Sequence, residues 1–398
     1  MARAVEPARL RLSHVGLLGV LSALALASGL AIQRAAGLPL AYTWSFPYRV
    51  LWLDGIAAAG FPCLLLITVL LGWFSSGAWP TLRARLARQA TRADAFLLVG
   101  ALSSAALIAW LDSQLCEQHS TWDNAAAGAV LVLTAIHARR LANRASIARF
   151  LASTAYGALC FGAICFFYTV LKATLFLHAA PQDASIIALE TWLFGAPPHR
   201  AIAAWAASRP HFVSWCDWTY FRLFEHMLLT GALLIARRDS VERVEYMGAL
   251  ALCYLMGCVL YHLLPAWGPG YFEPQYFGYL ADRTLTTGAV RAWLWNNTQA
   301  VAQGTATELQ TWSYISCMPS LHVAHEIVMA FYARRPLPAL LASLAFTLAT
   351  LVAVVVLGWH YPLDWVAGAA VGVTAIVLAK RLRAYWWPRA LLGRSAVR

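Results

Sequence analysis

Read along the chain, apolar residues fall into long blocks separated by short polar gaps. A helix of about 20 apolar residues crosses the hydrocarbon core of a bilayer. By that rule the blocks predict about ten spans. They cover residues 13–32, 54–74, 94–111, 124–137 and 148–178, then 218–236, 246–265, 318–333, 337–358 and 363–380. The fourth and eighth are short, which suits tilted or partly re-entrant helices. The first block has a basic front but no clean cleavage site, and reads as a retained helix.

The gaps supply a second signal. The N-terminus carries Arg3, Arg9 and Arg11. Every second gap after it is arginine-rich: Arg83, Arg85, Arg88 and Arg92, then Arg139, Arg140 and Arg144, then Arg237, Arg238 and Arg243, then Arg334 and Arg335, and finally Lys380, Arg381 and Arg383. The alternate gaps hold Asp112, Glu117, Asp123, Asp183, Glu190, Glu273, Asp282 and Glu308. Cytoplasmic loops favour Lys and Arg, so both termini are expected in the cytoplasm of a cell inner (plasma) membrane. The two longest gaps, 179–217 and 266–316, then lie outside. They are rich in Trp, Tyr and Pro, which predicts short interfacial helices there.

Composition agrees with this all-α, polytopic reading. Of 398 residues, 61% are hydrophobic and only 12% charged, with a mean hydropathy of +0.61. The net charge of +12 sits in the cytoplasmic gaps, so it reflects topology and not nucleic-acid binding. The eight cysteines show no CxxC or finger spacing; most suit packing. Cys116, Cys216 and Cys317 fall near one face, where a disulfide could form. An organisational break is expected near residue 145. It gives an N-terminal four-helix region (1–144), a six-helix unit (145–385) and a basic tail (386–398).

Candidate chemistry gathers on the outer face. SCMPSLHVAHEIVMAFYARR, 316–335, puts His322 at the outer end of the eighth span. GWHYPLDWVAG, 358–368, puts His360 and Asp364 between the ninth and tenth spans, at the same depth. Residues four apart on a helix are neighbours, so Asp364 can orient the His360 imidazole and stabilise its charged form. One oriented histidine suits a nucleophile, and a second suits the acid that protonates a leaving oxygen. Ser320 can cap the eighth helix, whose free N–H groups favour a phosphate.

PSLH at 319–322 followed by HYPLD at 360–364 resembles the second and third motifs of the type-2 phosphatidic acid phosphatase superfamily. LLPAWGPGYF (263–272), WLFGAPP (192–198) and YFRLFEH (220–226) are similar to its inositol phosphorylceramide synthase branch. The likeness covers roughly 145–385. It implies a phosphatase-type bundle in which His360 takes up the phosphoryl group, Asp364 orients it and His322 protonates the leaving group, with no cofactor or metal. The substrate would be a lipid phosphoester, and the acceptor water or a lipid alcohol. The superfamily's first motif, a lysine and then Arg-Pro, is not visible, and the position of its third-motif arginine is Val354. Arg222, Arg283 and Arg291 are the outer-face candidates to neutralise the phosphate, with His226 a further substrate-binding candidate.

Plainer readings compete. His322 could bond a carbonyl at a helix end, and His360 and Asp364 could cap a helix. The trio could hold a metal, with His325 and Glu326 nearby. His226 and Glu225 could be a polar pair packed between helices. A transporter or channel with a His/acid proton relay is the alternative function, although these groups cluster at one face.

Overall fold

The computed structural model describes residues 168–386, apart from 178–179, 237–239, 285, 308–309 and 311–313, together with 31, 34, 37 and 38. The first four predicted spans apart from residue 31, most of the fifth and the boundary near residue 145 lie outside these residues. Among the described residues there is no strand. An apolar helix α1 (Tyr168–Leu177) is followed by α2 (Asp183–Phe194), α3 (Pro198–Ala207), α4 (Pro210–Tyr220), α5 (Leu223–Ala236) and α6 (Ser240–Leu263). Then come the single turn α7 (Pro269–Phe272), α8 (Thr287–Ala302), α9 (Leu321–Tyr332), α10 (Leu337–Val356) and α11 (Leu363–Trp386).

Three stretches are long and apolar enough to cross a membrane: Val241–Leu263, Leu337–Val356 and Leu363–Arg383. They match the seventh, ninth and tenth predicted spans. The eighth is a 12-residue helix, as its short block suggested. The sixth differs: α4 ends at Tyr220, the chain turns at Phe221 and Arg222, and α5 restarts at Leu223 with 14 residues. The two long gaps contain the short helices α2, α3, α4, α7 and α8. Trp192, Phe194 and Trp218 stand well exposed on them.

Two cores result. Leu223, Met227, Tyr254, Leu321, Val328, Met329, Val371 and Ile376 join α5, α6, α9 and α11 into a bundle. Ala203, Val213, Cys216, Phe277 and Leu280 pack a cap of short segments on Ala353–Leu357, the end of α10.

The crossing of α9 and α11 sets the geometry of the bundle. Gly368 and Gly372, in GAAVG, face the backbone of α9 and its cap. A methyl group at 368 would meet the carbonyl oxygen of Ser320; one at 372 would lie 2.6 Å from that of Ala324. Small residues four apart let helix backbones approach closely.

The cap is tied down by buried carboxylates. Asp183, at the start of α2, accepts from the N–H groups of Trp267 and Gly268 and from the Tyr361 hydroxyl, each at 2.8 Å. Gly268 has φ +92°, and a Cβ there would meet the Trp359 carbonyl at 2.6 Å; glycine alone fits at little cost. LPAWGPG therefore ends α6 and seats a turn on the loop that carries His360, where the Gly270 N–H donates to Gly358 at 2.8 Å. Glu190 accepts from the Leu363 N–H at 2.9 Å. Fully buried His199 lies between Glu190 (3.4 Å) and Glu273 (2.8 Å), and Arg200 also grips Glu273.

Replacing Gly372 with valine should wedge α9 away from α11. The expected result is a folded but less stable protein, down by roughly 1–3 kcal/mol, and a larger relative loss of activity than of stability. Thermal unfolding in detergent and turnover, measured on the same preparation, check this.

Candidate active site

The site forms where the start of α9 meets the α10–α11 loop. Ser320 is the N-cap of α9, with its hydroxyl accepting from the Val323 N–H at 3.4 Å. That leaves the first N–H groups of α9 directed outward. His322 is in the first turn. Its ring stacks on Tyr220 of α4, with centroids 4.2 Å apart, and Tyr220 stacks in turn on Trp359 at 5.3 Å. His322 and His360 have ring centroids 6.1 Å apart. The expected convergence of these residues from separate spans is therefore present.

His360 Nδ1 lies 3.0 Å from Asp364 Oδ2, and both residues are buried. The same oxygen accepts from the Tyr361 N–H at 3.0 Å and from the Cys317 thiol at 2.8 Å. A hydrogen bond at Nδ1 selects the tautomer that leaves the Nε2 lone pair free. Asp364 is held from three sides, so the imidazole is held too.

Cys317 was not expected here. Cys216 and Cys317 are both free and buried, and Cys116 lies outside the described residues. Burial, followed by the Asp364 charge, pushes the Cys317 thiol well above its ordinary range. It therefore remains protonated and donates. The sequence clue was its place three residues before Ser320, but only the fold brings it to Asp364.

Cys317, His360 and Asp364 offer one donor each within 4.8 Å, the arrangement that could hold a metal ion. Zinc ligands at about 2.0–2.3 Å in a tetrahedron sit roughly 3.3 Å or more apart. The Cys317–Asp364 and His360–Asp364 separations of 2.8 and 3.0 Å are instead hydrogen-bond lengths. His325 and Glu326 do not join the group. His325 packs on Tyr254 at 4.5 Å, and Glu326 pairs with His226 at 2.8 Å.

The remaining candidates are distributed differently. His226 bonds Glu326 and Ser343, each at 2.8 Å, and Thr347 adds a 3.1 Å bond to Glu326. This is a polar network between α5, α9 and α10. Arg283 donates to the Ala207 carbonyl. Arg291 donates to the Gly270 carbonyl and lies over Tyr271 at 5.0 Å. Arg222 lies over Trp218 at 5.5 Å, two residues from Tyr220.

Two acids of the cap behave oppositely. Burial raises the Asp183 carboxyl, outweighing its hydrogen bonds from Trp267, Tyr361 and Gly268. Burial also raises Glu273, but Arg200 and His199 together outweigh it and hold the carboxyl below its ordinary range.

Residues 184–378 match the family model of the PAP2 superfamily. This stretch is a PAP2 superfamily domain. The match runs from α2 into α11 and includes His322, His360 and Asp364. It supports a phosphatase-type phosphoesterase activity for the domain. No curated protein and no solved structure matches the chain.

A protonated, enclosed thiol resists alkylation, because the thiolate is the nucleophile. Cys317 should stay unlabelled by N-ethylmaleimide at neutral pH in the folded protein and react once the chain is unfolded, as read by mass spectrometry. Serine at 317 should keep the donor and most activity. Valine should cost about 1 kcal/mol of orientation, or roughly fivefold in turnover.

Proposed function

We propose that this protein is an integral membrane enzyme that cleaves a lipid phosphoester at the outer face through His360. The observation that carries the reading is the His360–Asp364 pair at 3.0 Å with His322 across from it, inside a PAP2 superfamily domain. Asp364 takes Nδ1, so Nε2 of His360 attacks phosphorus. The bond from phosphorus to the leaving alcohol breaks. His322 gives its proton to that oxygen, and a phosphohistidine remains. Water, or the hydroxyl of a lipid alcohol, then attacks phosphorus and releases His360, returning a proton to His322.

Water as acceptor makes a phosphatase, and a lipid hydroxyl makes a head-group transferase. WLFGAPP, YFRLFEH and LLPAWGPGYF favour the transferase, through their likeness to inositol phosphorylceramide synthases. The catalytic region spans 145–385, and residues 1–144 form a separate membrane region. Arginine-rich gaps favour cytoplasmic termini, with the site on the periplasmic or extracellular side. Ser320 and the start of α9 would receive phosphate oxygens. Arg222, Arg283, Arg291 and His226 are the other substrate-binding candidates. The transporter reading needs a chain of titratable groups. The His226–Glu326 pair is instead closed locally by Ser343 and Thr347.

The test is a mass-spectrometric assay of purified protein with mixed phospholipids and polyprenyl phosphates, a lipid-alcohol acceptor and a metal chelator. Free phosphate or a new head-group-bearing lipid is expected with chelator present. His360→Ala should lower turnover by at least about 10³-fold, and Asp364→Asn by about 10²–10⁴-fold. Turnover retained by His360→Ala would sink the mechanism.

A further inference from the structure

We propose that Tyr220 is the positioning residue of the acid: its ring, stacked on His322, sets the plane in which that imidazole meets the leaving oxygen. The inference rests on the phosphoester reading above and concerns what orients the second histidine. His360 has Asp364 at Nδ1, 3.0 Å away. His322 has no such partner: among the described residues no hydrogen bond reaches its ring. The helix fixes the backbone of residue 322, but the torsion that turns a histidine ring about its own bond is broad. A neighbour has to hold the plane.

Tyr220 is that neighbour. Its ring lies 4.2 Å from the His322 ring, centroid to centroid, with 23° between the planes. Aromatic rings favour such offset stacking. A face contact restrains the plane yet leaves both imidazole nitrogens, at the ring edge, free to give a proton and take it back. The Tyr220 ring is itself held. It ends α4, just before the turn at Phe221 and Arg222, and Phe221 meets it edge-on at 5.0 Å. It is buried in one core with Val213, Cys216 and Val354. One turn earlier, Asp217 accepts from the Thr286 and Thr287 N–H groups at 3.0 and 2.8 Å, which ties α4 to the start of α8. Tyr220 also stacks on Trp359, at 5.3 Å with 9° between the planes, and Trp359 directly precedes His360. One tyrosine ring therefore touches both the acid and the loop of the nucleophile, whose imidazoles stand 6.1 Å apart. The break in the sixth predicted span ends α4 at the ring that meets His322.

The readout is leaving-group dependence. An acid matters when an alcohol departs and little when a nitrophenol departs, since a nitrophenolate leaves without a proton. Whichever panel lipid wild type turns over fastest is compared with its analogue carrying a nitrophenol in place of the leaving alcohol. Tyr220→Leu and Tyr220→Met, which remove the ring, should each lose about 10–100-fold in kcat on the alcohol ester and less than about threefold on the nitrophenyl ester. Tyr220→Phe keeps the ring and should stay within about threefold of wild type on both. Partial unfolding lowers both rates by the same factor, so the ratio of the two carries the result. In a His322→Gln background, where the acid is gone, adding Tyr220→Leu should cost less than about twofold. A ratio unchanged from wild type in the leucine and methionine variants would overturn the assignment. So would a phenylalanine variant as poor as leucine, or a full second loss in the His322→Gln background. Wild type that turns over nothing on the panel would instead overturn the phosphoester reading beneath it.

Discussion

The site depends on how closely α11 can approach α9. Gly368 and Gly372 let the two backbones meet at Ser320 and Ala324. His322 and Asp364 are carried by these same helices, within a turn or so of the contact. A looser crossing would change the His322–His360 separation while leaving each helix intact. The small-residue pair therefore constrains the candidate site as much as the packing. In a membrane there is little hydrophobic drive between helices, so close backbone contact has to supply the attraction.

The second constraint acts on the loop. His360 is on a short connection, where backbone is ordinarily mobile. Here that connection is bonded on every side. Tyr361 gives its hydroxyl to Asp183 and its N–H to Asp364, Leu363 gives its N–H to Glu190, and Gly358 accepts from Gly270. Asp183 and Glu190 come from α2, and His199 and Arg200 from α3 complete the group through Glu273. The cap of short helices is thus the mount of the loop that carries His360, and its buried carboxylates stand beside an apolar core of its own.

How much of this could be read from the chain follows from the range of each interaction. His360 and Asp364 are four apart, so their pairing is local and legible. The closeness of His322 to His360 was legible because hydropathy and charge alternation predicted a common membrane depth for the two, and the rings do lie 6.1 Å apart. The spans at 246–265, 337–358 and 363–380 were legible for the same reason. Cys317, Tyr220 and Asp183 were not, since each reaches its partner from tens to more than a hundred residues away. GAAVG was visible as a pattern, but its partner helix was not. The break at Phe221 and Arg222 was missed because the apolar run continues across it; hydropathy measures burial and carries no record of where the backbone turns.

The division of polar groups between two levels of the bundle also bears on function. One set, His322, His360, Asp364 and Cys317, sits at the helix ends, where one carboxylate oxygen accepts three bonds and His360 keeps a ring nitrogen available. The other, His226, Glu326, Ser343 and Thr347, lies between α5, α9 and α10, with both imidazole nitrogens engaged. A satisfied network of that kind resists rearrangement, because each bond broken inside the bundle leaves a polar group without water to replace it. Glu326 is also four residues beyond His322, one turn along the same face of α9. Anchoring Glu326 to two neighbouring helices therefore fixes the rotation of α9 about its own axis, and with it the direction in which His322 points. The lower network is best understood as the support that aims the upper one.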